Sequence, residues 1–314
     1  MDQVLVVSFI LSVMTASTPL LLAAIGELVT EKSGVLNLGV EGMMLVGAIV
    51  GFATTVHTGS ALLGVALAML AGMGMALIFG ILTLTFLANQ VATGLALTIF
   101  GTGLSALVGA GYVGTAVPPL PKLAIPGVSD LPYLGPILFG QDSLVYLSIA
   151  SVIGVAWFLR RTHRGLVVRA VGDSHEAAHA IGYPVILIRY LATLFGGAMS
   201  GLAGAYMSLA YSTSWAENMT SGRGWIALAL VVFAGWRAGR LLVGAIFFGV
   251  LMWMELNAKA GGLSFLSFAQ YIPSQFWAAM PYLMTVVVLT LISMRDRVGL
   301  NAPACLGKPF LPAT

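Results

Sequence analysis

The chain predicts an all-α polytopic membrane protein, with about eight to nine transmembrane or half-membrane helices and one short helix on the cytoplasmic side. Three observations carry this. Of the 314 residues 59% are hydrophobic and only 8% charged, and the mean hydropathy is +0.99; soluble domains carry about 25% charged residues. The apolar runs are long and continuous, whereas a membrane β-barrel would alternate apolar and polar residues over strands of about ten. The longest polar interruption, residues 160–184 (RRTHRGLVVRAVGDSHEAAHAIGYP), carries four of the 14 basic residues, Arg160, Arg161, Arg164 and Arg169, which places it in the cytoplasm by the positive-inside rule. The whole chain, 1–314, is expected to be a single transmembrane domain.

In chain order, a first span is expected over 4–26, kinked or broken near Pro19 because proline lacks the N–H that a helix interior uses. A polar patch, Gly26 to Gly34, precedes a glycine-rich run at 35–52. Asn37 and Glu41 are four apart there and would share a helix face. A carboxylate at the centre of a span costs about 2.5–3.5 kcal/mol on insertion scales, so Glu41 should face protein or water. It serves either as a helix cap or interhelical hydrogen-bond partner, or as a substrate or gating contact. Spans follow at 61–87 and 91–111, with Asn89 and Gln90 at the turn between them. Residues 112–142 hold six of the 13 prolines and read as an outside loop.

A fifth span, 143–159, leads into the cytoplasmic segment. There Asp173 is expected as N-cap with Glu176 reaching back as a capping box, the helix running over 174–181 and stopping at Gly182, with Pro184 beyond. Such a helix, about 12 Å long, buries no core of its own; it is either a solvated connector or a docking element. A sixth span, 185–211, carries the small-residue pair Gly197 and Gly201, which suits close helix packing. The polar stretch 212–224 brings Trp215, Glu217, Asn218 and Arg223 near one another, either as a solvated loop or as a group meeting a polar ligand from outside. Residues 225–236 are too short to cross about 30 Å alone and read as a half helix, of the kind that lines transport paths. Spans at 241–258 and 276–294, with an amphipathic outside segment at 263–273, complete the chain. This threading leaves eleven basic residues inside and three outside, with the N-terminus outside.

Two stretches carry a family resemblance. Glu176-Ala177-Ala178, three residues and Gly182 resemble the EAA loop of ABC transporter permeases, which docks into a groove of the ATPase. GELVTEKSGVLNLGVEGMMLVGA, GRGWIALALVVFAGWRAGRLLVGAIFFG and the tail's APACLGKPF are similar to permeases importing nucleosides and simple sugars, within the branched-chain amino acid and ribose permease group. The resemblance implies that Asp173, Glu176, Ala177, Ala178 and Gly182 form an ATPase-coupling helix. It implies as partners a second permease in a heterodimer, of which this chain is the shorter member, an ABC ATPase and an extracytoplasmic substrate-binding protein. It also implies a bacterial cytoplasmic membrane and a nucleoside substrate, with simple sugars as the alternative. The substrate path is expected near Asn37, Glu41, Asn89, Gln90, Trp215, Glu217 and Asn218.

The residues argue against other classes. No GxxxxGK[ST] loop is present, so ATP hydrolysis requires another chain. An ion-coupled secondary carrier would be expected to place ionisable residues in mid-span, and only Glu41 and Glu255 qualify. His175-Glu176-Ala177-Ala178-His179 matches the HExxH zinc pattern letter for letter. It nevertheless sits in a short arginine-flanked segment without a third ligand, so two solvated histidines and no metal or other cofactor are expected. A single cysteine, Cys305, excludes an intramolecular disulfide. The net charge of +3 comes from loop arginines, and no nucleic-acid polymer is expected as a partner; membrane lipid is.

Overall fold

The computed structural model describes residues 3–123, 134–259, 273–294 and 302–311. The helices are α1 (Gln3–Lys32), α2 (Val40–Thr58), α3 (Ala61–Gly80), α4 (Gln90–Gly109), α5 (Leu134–Phe139) and α6 (Ser143–Arg161), then α7 (His163–Asp173), α8 (His175–Ala180), α9 (Val185–Tyr206), α10 (Arg223–Phe233), α11 (Ala238–Lys259) and α12 (Ser274–Ser293). Wider π-type turns at Ile81–Thr85 and Met207–Tyr211 extend α3 and α9. Among the described residues seven helices are long and apolar enough to cross a membrane, and α10 and the stretch Gln275–Val288 are shorter apolar ones. All but the last residue of the expected segment at 263–273, and the basic residues Arg295 and Arg297, lie outside the described residues.

Helix starts follow local chemistry. Ser60, Asn89, Asp142, Thr162 and Ser174 each accept a hydrogen bond from a first-turn backbone N–H, satisfying donors that an α-helix leaves unpaired. Asp173 is not the cap expected of it: α7 extends through it, and Ser174 takes the role, accepting from Ala177 N at 3.3 Å. The reason is continuity, since α7 buries Val167, Val168 and Val171 and so extends to the residue before the cap. Gly182, with φ +92°, ends the segment as expected, its N–H donating to His179 O at 2.8 Å.

The first span differs from expectation. α1 runs unbroken through Pro19 to Lys32, so the expected polar patch is largely its last two turns. Glu27 and Glu31 are buried there, tolerated because donors from other elements reach them. Helix α2 begins only at Val40, leaving 33–39 as a non-helical break. Asn37 therefore does not share a helix face with Glu41.

The core is a seam of glycines where α9 packs against α2 and α3. An added Cβ would lie 1.9 Å from Met44 O at Gly204, 2.2 Å from Ala68 O at Gly201 and 2.1 Å from Gly197 O at Gly72. Backbones this close gain dispersion contacts that lipid cannot match, which is how apolar helices associate in a membrane. The outer faces of α3 and α4 leave Leu62, Leu70, Ile99 and Leu107 exposed, as lipid-facing surfaces should be. Gly201→Leu is expected to lower stability by at least about 1–3 kcal/mol. Gly74→Ala, where the added methyl meets no atom within 4 Å, should be neutral. Thermal unfolding in detergent distinguishes the two, and equal curves would contradict the seam.

Candidate functional site

The half helix expected at 225–236 is α10, 11 residues and so about 16 Å long, half the hydrocarbon thickness. Both its ends are held by carboxylates from the polar signature in α1 and α2. Glu41 Oε1 accepts from Thr220 Oγ1 at 2.6 Å and Gly222 N at 2.7 Å, while Oε2 accepts from Gly224 N at 2.6 Å. Glu41 is buried, and its negative charge sits at the positive end of the α10 dipole, where it also satisfies orphan N–H groups. A Cβ on Gly224 would meet Glu41 Oε2 at 2.6 Å, so a glycine is needed there. Of the two roles left open for Glu41, the geometry is that of the cap. At the other end Glu31 Oε2 accepts from the indole N–H of Trp236, whose φ of +55° turns the chain after α10.

The break at 33–39 lies beside these acids and is held by side chains. Glu27 Oε1 accepts from Asn37 N at 3.2 Å, Gln90 Oε1 accepts from Leu36 N at 2.8 Å, and Asn37 Oδ1 accepts from Gly39 N at 2.9 Å. Glu27 Oε2 and Gln90 Nε2 are buried without a hydrogen-bond partner, so this end of the bundle retains unspent polar capacity. Asn89 is the exposed cap of α4.

The outer group assembles differently from expectation. Trp215 is buried beneath the outer loop, its backbone bridging Val113, because the end of α4 offers Gly109 as a slot for the indole. It is a core residue and does not face a ligand from outside. Glu217 and Asn218 are exposed. The residues that meet Glu41 are Thr220, Gly222 and Gly224, which the sequence reading passed over; the TSGRG stretch before an apolar run was the available signal.

Between α7 and α9, α8 turns His175 and Ala178 inward and leaves Glu176, Ala177, Ile181 and Gly182 exposed. The two histidines are not both solvated, as had been expected. His175 is buried, and its ring and that of His179 stand 5.1 and 5.4 Å from the ring of Phe310. The reason is the tail, which folds back as a strap: Cys305 N donates to Gly172 O at 2.9 Å and Gly307 N to Gly34 O at 3.1 Å. Arg189, buried at the start of α9, ties these parts together. Its Nε donates to Ser33 O at 3.3 Å, its Nη1 to Lys308 O at 3.1 Å, and its Nη2 lies 3.1 Å from His175 Nδ1. A guanidinium can only donate, so Nδ1 accepts, and burial, followed by the guanidinium, pushes the His175 pKa below its ordinary value. Among the described residues no three His, Cys, Asp or Glu side chains gather as a metal site.

The arrangement links α8, through Arg189 and the tail, to the break at 33–39, and through Glu31 and Glu41 to both ends of α10. The sequence profile of the family described as branched-chain amino acid transport system / permease component matches residues 9–290. The chain is 42% identical over 307 residues, 93% of each chain, to a Haloferax volcanii protein provisionally named glucose ABC transporter permease protein TsgC13. It is 30% identical over 324 residues, 99% of each chain, to the guanosine ABC transporter permease NupQ of Bacillus subtilis. It is 28% identical to the nucleoside ABC transporter permease NupC of Lactococcus lactis, over 88% of this chain and 89% of that one. No solved structure matches.

Proposed function

This chain belongs to the branched-chain amino acid transport system permease family, and on that premise we propose that it forms the nucleoside path of an ATP-driven importer. It is a multi-pass membrane protein and a transport component, with ATP hydrolysis on a separate subunit. The observation that carries the mechanism is α8: a six-residue helix whose outward side is Glu176, Ala177, Ile181 and Gly182. Small side chains there let a partner approach the backbone, and the 73% exposed Ile181 offers an apolar anchor. The ATPase engages this surface. Its closure moves α8, and Arg189 passes the motion to the break and to α10, whose ends flank the path.

Guanosine and nucleoside permeases among the relatives support the nucleoside reading. A simple sugar is the second reading, favoured by the 42% identity to a protein provisionally named for glucose. The remaining partners are a second, different permease and an extracytoplasmic binding protein, in the cytoplasmic membrane of a bacterium. Reconstitution in liposomes tests this. The chain alone should take up neither nucleosides nor sugars under a proton or sodium gradient. Uptake should require the second permease, the ATPase, ATP and the binding protein, and Glu176→Lys should uncouple hydrolysis from it. Gradient-driven uptake by the chain alone would identify a secondary carrier instead.

A further inference from the structure

A cavity of about 640 Å³ opens between α6 and α9, floored by Val29 of α1 and walled by Gly154, Phe158, Ile188 and Phe195. Phe158 lies just before the cytoplasmic end of α6, and Ile188 just after the cytoplasmic start of α9. The walls therefore run from that end about 15 Å into the membrane, at about 1.5 Å per residue, within one leaflet of a core about 30 Å thick. Its interior is carbon. At the cytoplasmic rim the chemistry changes, because His163 and Arg164 line it. Neither aspartate nor glutamate is among the lining residues.

We propose that this groove is a binding site for one anionic phospholipid of the inner leaflet, an acyl chain lying against Phe158 and Phe195 and its phosphate held by Arg164. The match is one of charge and depth. The cytoplasmic leaflet is the anionic one, and basic pockets between spans on that side collect its headgroups. An apolar cleft of this size that faces hydrocarbon does not hold water, which would find too few polar partners in it. A helix of another subunit would fill the apolar walls but leave the basic rim without an anion. The bound chain occupies the space between α6 and α9, the spans that enter and leave the α7–α8 segment. The proposal does not depend on the transported substrate.

Native mass spectrometry of the full chain, released from nanodiscs of phosphatidylglycerol or of phosphatidylcholine with the same acyl chains, tests it. One phosphatidylglycerol should be retained about fivefold better than phosphatidylcholine, in keeping with the roughly 1 kcal/mol of one arginine at the headgroup. Arg164→Gln should erase the preference while a lipid is still retained. Gly154→Phe should abolish retention of both, since nothing lies within 4 Å of an added Cβ there and the ring can enter the groove. Unchanged thermal unfolding of both variants shows that the fold survives; where a variant unfolds, direct competition of phosphatidylglycerol against phosphatidylcholine in mixed nanodiscs of the wild-type chain reads the same preference. Equal retention of the two lipids by the wild-type chain would overturn the proposal. So would efficient crosslinking of Gly154→Cys, in a Cys305→Ser background, to another subunit in native membranes.

Discussion

Glu41→Leu is expected to abolish transport while the chain still inserts into the membrane. The carboxylate accepts three hydrogen bonds, from the Thr220 hydroxyl and the Gly222 and Gly224 amides. Leucine leaves those donors buried without partners, at about 1–3 kcal/mol for each unsatisfied group. The N-terminus of α10 also loses the charge facing its dipole. The sum, on the order of 3–9 kcal/mol, is comparable to the entire stability of many domains, so α10 should leave its seat. Insertion is unaffected, since removing a carboxylate from a span lowers the insertion cost by about 2.5–3.5 kcal/mol. Glu41→Gln keeps an acceptor and should retain partial activity. Uptake by the assembled transporter, alongside protease accessibility of 212–224, measures both effects; wild-type uptake by the leucine variant would refute the cap.

Arg189→Met is expected to free the tail and disconnect α8 from the membrane helices. Methionine preserves the bulk but leaves Ser33 O, Lys308 O and His175 Nδ1 without the donors that now reach them. Bonds from a charged donor contribute about 1.5–3 kcal/mol each. Loss of even one corresponds to a rise of about tenfold to a hundredfold in the opening of the strap. Cys305, the single cysteine, lies in that strap, and its rate of maleimide labelling reports the opening directly. In the assembled importer ATP hydrolysis should continue while uptake falls. Arg189→Lys keeps a charge without the planar fork and should lie between the two. Unchanged labelling together with coupled uptake would show that Arg189 has no part in the linkage.

Much of the helical framework was legible because membrane spans are written in long apolar runs, and their ends in capping residues and arginines. The half helix was readable by length alone, since an 11-residue helix cannot cross the bilayer. The glycine seam was readable as well, because small residues four apart have few other uses in a span. The short helix α8 could be bounded to within a residue, but its cap could not. Asp173 and Ser174 are both good capping residues, and only the continuation of α7 decides between them.

The pairing of distant groups is what local pattern does not contain. Glu41 and Gly224 are 183 residues apart, and no periodicity around either names the other. Glu27 and Glu31 read as a polar interruption because an unpaired carboxylate does not belong in hydrocarbon; Asn37 N and Trp236, brought by the fold, let α1 continue through them. Trp215 was set beside Glu217 and Asn218 as a ligand contact, yet the slot at Gly109 buries it. His175 of α8 likewise read as solvated until Phe310 returned from the far end of the chain. Hydropathy and charge are properties of each residue and survive in the linear order, so the membrane class and the spans follow from it. Hydrogen-bond partnership belongs to pairs that chain order separates, so the seat of α10 and the linkage through Arg189 exist only in the folded molecule.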